Sequence, residues 1–261
     1  MTVTSTAFIS NDADTGEGPA RNLARRLMSI TDLTSLNESD DSSAVRTLAA
    51  LARAAPVRPA CVCIWPRFIR VAHEALEGSG IPVCAVTNFP DGAAEPDSAG
   101  AETAAAVAAG AQEVDVVFPY RALLAGNAGV GLQLVRACRE ACGDVALLKV
   151  ILETGQLNPA DMRRAADIAI EGGAHFLKTS TGKLKPAATP EAATILMDAI
   201  AAGSPRRVGF KAAGGIRTLA DASVYLDLYE RKFGAGSASP ANFRIGASGL
   251  FKELMTAAGR I

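Results

Sequence analysis

The sequence predicts an α/β protein folded as a single (β/α)8 TIM barrel, with an extra helix ahead of the first strand. Three observations carry that expectation. Eight short runs rich in β-branched and aliphatic residues recur at roughly 30-residue intervals, the size of one strand-plus-crossover unit. Helix-like stretches of Ala, Leu, Arg and Glu separate them. The chain has 261 residues, close to the ~250 of one such barrel.

In chain order the strand candidates are residues 29–33, 60–65, 83–88, 113–118, 146–153, 175–180, 207–211 and 243–246. Runs such as Val114-Asp115-Val116-Val117-Phe118 and Leu147-Leu148-Lys149-Val150-Ile151-Leu152 are largely apolar on both faces. Strands buried between a barrel interior and outer helices read that way, so parallel pairing is favoured. Helix punctuation agrees. Asn158-Pro159 and Thr189-Pro190-Glu191 each offer a cap residue followed by proline, and Thr218 with Asp221 resembles a capping box. Gly172-Gly173 and Gly203 stand where helix ends are expected. No shift in composition divides the chain, so residues 20–261 form one domain behind a flexible segment, 1–19. An open doubly wound sheet is the structural alternative.

Composition narrows the function classes. With 49% hydrophobic and 20% charged residues, the chain lacks the make-up of a disordered one. A net charge of -1 offers no electrostatic footprint for nucleic acid or an anionic membrane, so any bound anion must be met locally. Residues 1–19 have neither a basic start nor an apolar run, unlike a signal peptide, and no stretch is long enough to span a bilayer. Five cysteines and only His73 and His175 favour reduced thiols in the cytoplasm over disulfides or structural zinc. No G-x-x-x-x-G-K-[ST] loop and no G-x-G-x-x-G after a strand is present, so nucleoside triphosphate and dinucleotide readings lose support.

The active site of such a barrel lies at the C-terminal ends of the strands. Lys178 closes Phe176-Leu177-Lys178, and Lys211 closes Val208-Gly209-Phe210-Lys211 on the next strand. Their amines can therefore converge. A free lysine has a pKa of ~10.4, so almost no neutral amine exists at neutral pH, and a second ammonium nearby depresses it. That would prepare one amine to attack a carbonyl. Lys178 is read as nucleophile and Lys211 as its electrostatic and proton-transfer partner, although the sequence alone also allows the reverse. Asp115, set among valines, either pairs with Lys149 on the next strand or points into the mouth to move protons. Asp32 is read as a supporting hydrogen-bond partner or, equally, a helix cap. Cys63 is a small buried residue near the mouth. Thr181, Gly182 and Lys183, Gly214 and Gly215, and Ser248 in Gly246-Ala247-Ser248-Gly249 form the candidate phosphate site, since the last loops of such barrels present backbone N–H groups to anions.

The matching stretches occur in order: Asp32-Leu33-Thr34-Ser35-Leu36-Asn37, Val62-Cys63-Ile64-Trp65-Pro66-Arg67-Phe68, Val86-Thr87-Asn88-Phe89-Pro90, Glu113-Val114-Asp115-Val116-Val117-Phe118-Pro119-Tyr120-Arg121-Ala122-Leu123, Leu148-Lys149-Val150-Ile151-Leu152-Glu153-Thr154-Gly155, Lys178-Thr179-Ser180-Thr181-Gly182-Lys183, Val208-Gly209-Phe210-Lys211-Ala212-Ala213-Gly214-Gly215-Ile216-Arg217 and Arg244-Ile245-Gly246-Ala247-Ser248. Together they resemble the deoxyribose-phosphate aldolases, class I aldolases of the barrel type. The resemblance implies reversible, cofactor-free cleavage of 2-deoxy-D-ribose 5-phosphate to acetaldehyde and D-glyceraldehyde 3-phosphate. It implies a Schiff base on Lys178, with Lys211 and Asp115 handling protons. The alternatives are a class I aldolase of another phosphorylated sugar and a non-catalytic phosphosugar sensor. Small-molecule phosphosugar and aldehyde partners follow, and exposed helix faces permit a homodimer. Ala212 stands where proline is frequent and Trp65 where tyrosine is common. No aromatic residue follows Phe251 to match the terminal tyrosine of some members.

Overall fold

The computed structural model describes residues 18–203 and 208–259. Most of the segment expected to be flexible, residues 1–17, lies outside the described residues. The extra N-terminal helix, α1 (Pro19–Ser29), packs against the C-terminal helix α10 (Leu250–Ala257) and against α9 (Leu219–Phe233). Arg26 of α1 bonds Glu230 of α9.

Eight parallel strands close into a barrel in chain order: β1 (Thr31–Thr34), β2 (Cys61–Ile64), β3 (Val83–Thr87), β4 (Glu113–Val117), β5 (Leu147–Ile151), β6 (Phe176–Lys178), β7 (Gly209–Ala213) and β8 (Phe243–Ala247). Between them run α2 (Ser42–Ala54), α3 (Ile69–Ala75), α4 (Pro96–Ala108), α5 (Tyr120–Leu124), α6 (Gly129–Cys142), α7 (Pro159–Glu171) and α8 (Pro190–Ala201). Short 3-10 turns, Pro66–Phe68 and Thr154–Gln156, follow β2 and β5. The expected caps form: the side chains of Asn158, Thr189 and Thr218 accept the first free N–H groups of α7, α8 and α9. Thr218 and Asp221 complete a reciprocal capping box.

Every strand differs from the sequence reading by one or two residues at one end or both, β1 starting at Thr31 because Ser29 closes α1, and three of the differences are instructive. β7 lies two residues later than expected, so Lys211 sits mid-strand. The ladder decides this: Gly209 pairs with Phe176 and Ala213 with Gly246, drawing in two alanines that carry no strand signature of their own. Residue 207 is outside the described residues. β5 stops at Ile151 because the chain turns left-handed at Glu153, where φ is 54°. β6 is only three residues long, flanked by polar residues that serve the next loop.

Side chains alternate across the barrel wall. One set, including Leu33, Val62, Ile64, Val114, Val116, Leu148, Val150, Leu177, Phe210 and Ile245, joins the helices in one continuous apolar core. The other set points to the axis. Lys211 of β7 bonds Asp115 of β4, a contact between non-adjacent strands that only the barrel interior allows.

Candidate active site

The inward residues form a buried layer of charge. Asp115, with no exposed surface, divides its two oxygens. Oδ1 accepts from Lys149 Nζ at 2.7 Å and from the Cys84 thiol at 3.2 Å, while Oδ2 accepts from Lys178 Nζ and Lys211 Nζ, each at 2.7 Å. Lys211 also bonds Asp32 Oδ2 at 2.5 Å. Arg244 reaches Asp32 at 2.7 Å and Glu113 at 3.0 Å, and Lys149 closes the network on Glu113 at 2.6 Å. The positions follow from register: Asp115 pairs with Lys149, Lys178 with Lys211, and Lys211 with Arg244 on adjoining strands.

The electrostatics follow from these contacts. Burial works against a charged Lys211, but Asp115 and Asp32 outweigh it and hold the ammonium well above the ordinary lysine range. Lys149 is raised in the same way, by Asp115 first among its partners. Burial opposes the charge of Asp115, yet Lys149, Lys178 and Lys211 together hold it well below the usual carboxylate range. Asp32 is likewise lowered by Lys211 and Arg244 against its burial.

Above this layer opens a cavity of about 410 Å³. Lys178 lines it, whereas Lys211 has no exposed surface. Thr181, Gly182, Lys183, Gly214, Gly215 and Ser248 line it too, beside Gly249 at the start of α10. Gly214 and Gly215 have φ of 92° and 84°, a left-handed conformation that leaves this turn to glycine. Gly246 serves a different purpose: a Cβ there would come within 2.9 Å of Lys211 Cε, so its absence makes room for that lysine.

The structure brings together Lys178, Lys211, Asp115, Lys149 and Asp32, all expected at or near the site. Asp32 is an ion-pair member inside β1 and caps no helix. Asp115 does pair with Lys149, and its second oxygen faces Lys178 and Lys211, but Asp115 itself does not line the cavity. The bare lysine pair expected from sequence is corrected in one respect, since a carboxylate oxygen lies between the two ammoniums. Lys183 Nζ bonds the carbonyl of Leu36 at 2.6 Å, bridging the loops after β6 and β1. Cys63 is fully buried in a small cluster with Leu36, Cys61, Cys84 and Val86, below the cavity.

Sequence reasoning missed Glu113, Arg244, Cys84 and Glu153 as site residues. Glu113, Glu153 and Arg244 stood in the matched stretches, but single charges on a strand or at its end give no sign of their partners. Among the described residues two groups could hold a cation, Cys61, Cys84 and Glu113, and Cys63, Cys84 and Asp115, with ligand atoms within 4.8 Å of one another. The cation beside both is the Lys149 ammonium, 3.2 Å from Cys84 Sγ.

Comparison with known proteins agrees with this geometry. The sequence model of the DeoC/LacD family aldolases matches residues 26–237. A Toxoplasma gondii protein assigned as a deoxyribose-phosphate aldolase, in its apo form, is 28% identical and superimposes with TM-score 0.84, covering 92% of this chain and 96% of that one. A Coccidioides immitis protein of the same assignment is 30% identical at TM-score 0.77, over 88% and 86%. The tetrameric deoxyribose phosphate aldolase of Aeropyrum pernix is 26% identical at TM-score 0.72, over 94% of each. With a family match across most of its length and a lysine-rich site at the end of the barrel where such chemistry belongs, the chain is a member of the DeoC/LacD family of aldolases.

Proposed function

We propose that this aldolase reversibly cleaves 2-deoxy-D-ribose 5-phosphate into acetaldehyde and D-glyceraldehyde 3-phosphate through a Schiff base on Lys178. The observation that carries the assignment is the inequality of the lysines. Lys149 and Lys211 are enclosed and each pairs with more than one carboxylate, whereas Lys178 pairs with Asp115 alone and lines the cavity. Of the three lysines, Lys178 is therefore the one that a carbonyl in the cavity can reach.

Neutral Lys178 attacks C1 of the open-chain sugar, and loss of water gives a protonated imine. A water held by Asp115 and the Lys211 ammonium takes the proton of the C3 hydroxyl, with the Asp115 carboxylate as the accepting base. The C2–C3 electron pair moves into the imine, glyceraldehyde 3-phosphate departs, and an enamine remains. Protonation at C2 and hydrolysis then release acetaldehyde and restore the amine. The cavity end at Thr181–Lys183, Gly214, Gly215 and Ser248 takes the phosphate, through backbone N–H groups and the N-terminal end of α10. Five free, buried cysteines suit a reducing compartment, for which the cytoplasm is our reading.

Borohydride reduction with acetaldehyde tests the chemistry. The expected product is an ethyl adduct on Lys178, absent from Lys178→Ala. An adduct confined to Lys211 would exchange the two roles, and none at all would sink the imine. Comparing kcat/KM across sugar phosphates tests the substrate, where a preferred ketose phosphate would overturn it.

A further inference from the structure

We propose that Glu153 is a positioning residue that fixes the phosphate loop and thereby sets the enzyme's preference for a phosphorylated sugar. This rests on the reading that the Thr181–Lys183 loop receives the phosphate.

Glu153 follows β5 in the left-handed region, with φ of 54°, a conformation uncommon for a residue with a side chain. Such a conformation persists only where surrounding contacts impose it. Here they bring a carboxylate with no exposed surface to one residue. Oε2 accepts the Thr181 hydroxyl at 2.5 Å, and the two oxygens lie 3.4 and 3.3 Å from the Thr181 N–H. Thr181 Oγ1 in turn accepts the Lys183 N–H at 3.0 Å. One carboxylate thus holds residues 181–183, which line the cavity.

The surrounding loops strengthen the case. Gln156 Nε2 donates to the Lys185 carbonyl at 3.3 Å, and a Cβ on Gly155 would fall 1.7 Å from the Pro186 carbonyl oxygen. The turn after β5 therefore meets the loop after β6 at three places, two of them hydrogen-bonded. Among the described residues Glu153 makes no ion pair within 4 Å; burial raises its pKa, while its bonds to Thr181 and the more distant charges of Lys178 and Arg121 favour the carboxylate. A buried carboxylate is costly, and what this one secures is the conformation of the loop.

The test compares steady-state kinetics of the full chain and Glu153→Gln on 2-deoxyribose 5-phosphate and on unphosphorylated 2-deoxyribose. Gln keeps an acceptor but loses the charge, which weakens bonds of this kind by about tenfold in an equilibrium constant. We expect KM for the phosphorylated sugar to rise by about that factor, with kcat little changed and kcat/KM for the free sugar unaltered. Borohydride trapping of acetaldehyde on Lys178, which needs no phosphate, confirms that the variant is folded and chemically competent. Glu153→Asp, which restores charge at shorter reach, should recover part of the preference if the variant with Gln loses it. Parallel losses on both sugars, or no change on either, would overturn the proposal. If the unaltered enzyme itself shows no preference for the phosphorylated sugar, the fault lies with the loop reading, and the proposal falls with it.

Discussion

Along β4, Val114 and Val116 face the helices while Glu113 and Asp115 face the barrel axis, and all four are buried. The two faces of one strand meet the same requirement by opposite means. On the outer face, burial is favourable for any apolar side chain that fills the space, so stability is spread over many interchangeable contacts. On the inner face each charge is tolerable only because named partners surround it. The outer layer therefore makes the fold forgiving of change, and the inner layer makes the site demanding.

The sharpest way to break this comparison is to remove one inner cation. Lys211→Met leaves Asp115 and Asp32 short of a partner, and breaking a buried pair costs about 3–5 kcal/mol. Most of kcat should go with it. Chemical denaturation and turnover measured together check both, and near-normal turnover would refute a role for Lys211 in proton transfer. An equal-volume change of the inner face, Asp115→Asn, should likewise lose most activity. A comparable change outside, Leu148→Met, should cost less than about 1.5 kcal/mol and leave kcat intact. If both behaved alike, the contrast between the faces would fail.

Arg244 offers a finer test, because it lies away from the cavity. Arg244→Met should destabilise by about 3–5 kcal/mol with a smaller loss of turnover than Lys211→Met, since Glu113 keeps Lys149 while Asp32 keeps Lys211. The effect of pH divides the faces further. Asp32 and Asp115 are held below their unfolded values, so their contribution to stability is complete above the usual carboxylate range of ~4 and is lost as pH falls through it toward the folded values. Denaturation midpoints should fall steeply on acidification, and by the same amount in Leu148→Met. The smallest expected effect concerns the outer thiols. Burial pushes Cys138 up to about 11 and Cys142 up to about 12. Both should resist thiol-directed labelling of the native protein at pH 8, and rapid reaction of either would show that α6 opens.

These contrasts also explain what could be read from the chain directly. The eight strands, the caps at Asn158, Thr189 and Thr218, and the glycines of the last turns are written in local patterns of a few residues. Lys178, Lys211 and Asp115 were legible because two lysines at consecutive strand ends, and a carboxylate among valines, are unusual at short range. Glu113 and Arg244 were not, since each looks like an ordinary charge at a strand end until the barrel closes. Cys84 was only one of five reduced thiols, and Glu153 stood at the end of a strand candidate with no sign of its partner.

By itself the sequence determined the alternation of strand and helix, the inward and outward phase of each strand, and which chemical groups stand near the mouth. These depend on periodicity and capping, which act within a few residues. Only the tertiary structure decided how differently the lysines are paired. That difference depends on how many carboxylates surround each amine, and the carboxylates come from β1 and β4, far along the chain from β6 and β7. Closure of the ring places Asp32 and Asp115 around Lys211 and leaves Lys178 with Asp115 alone at the edge of the cavity.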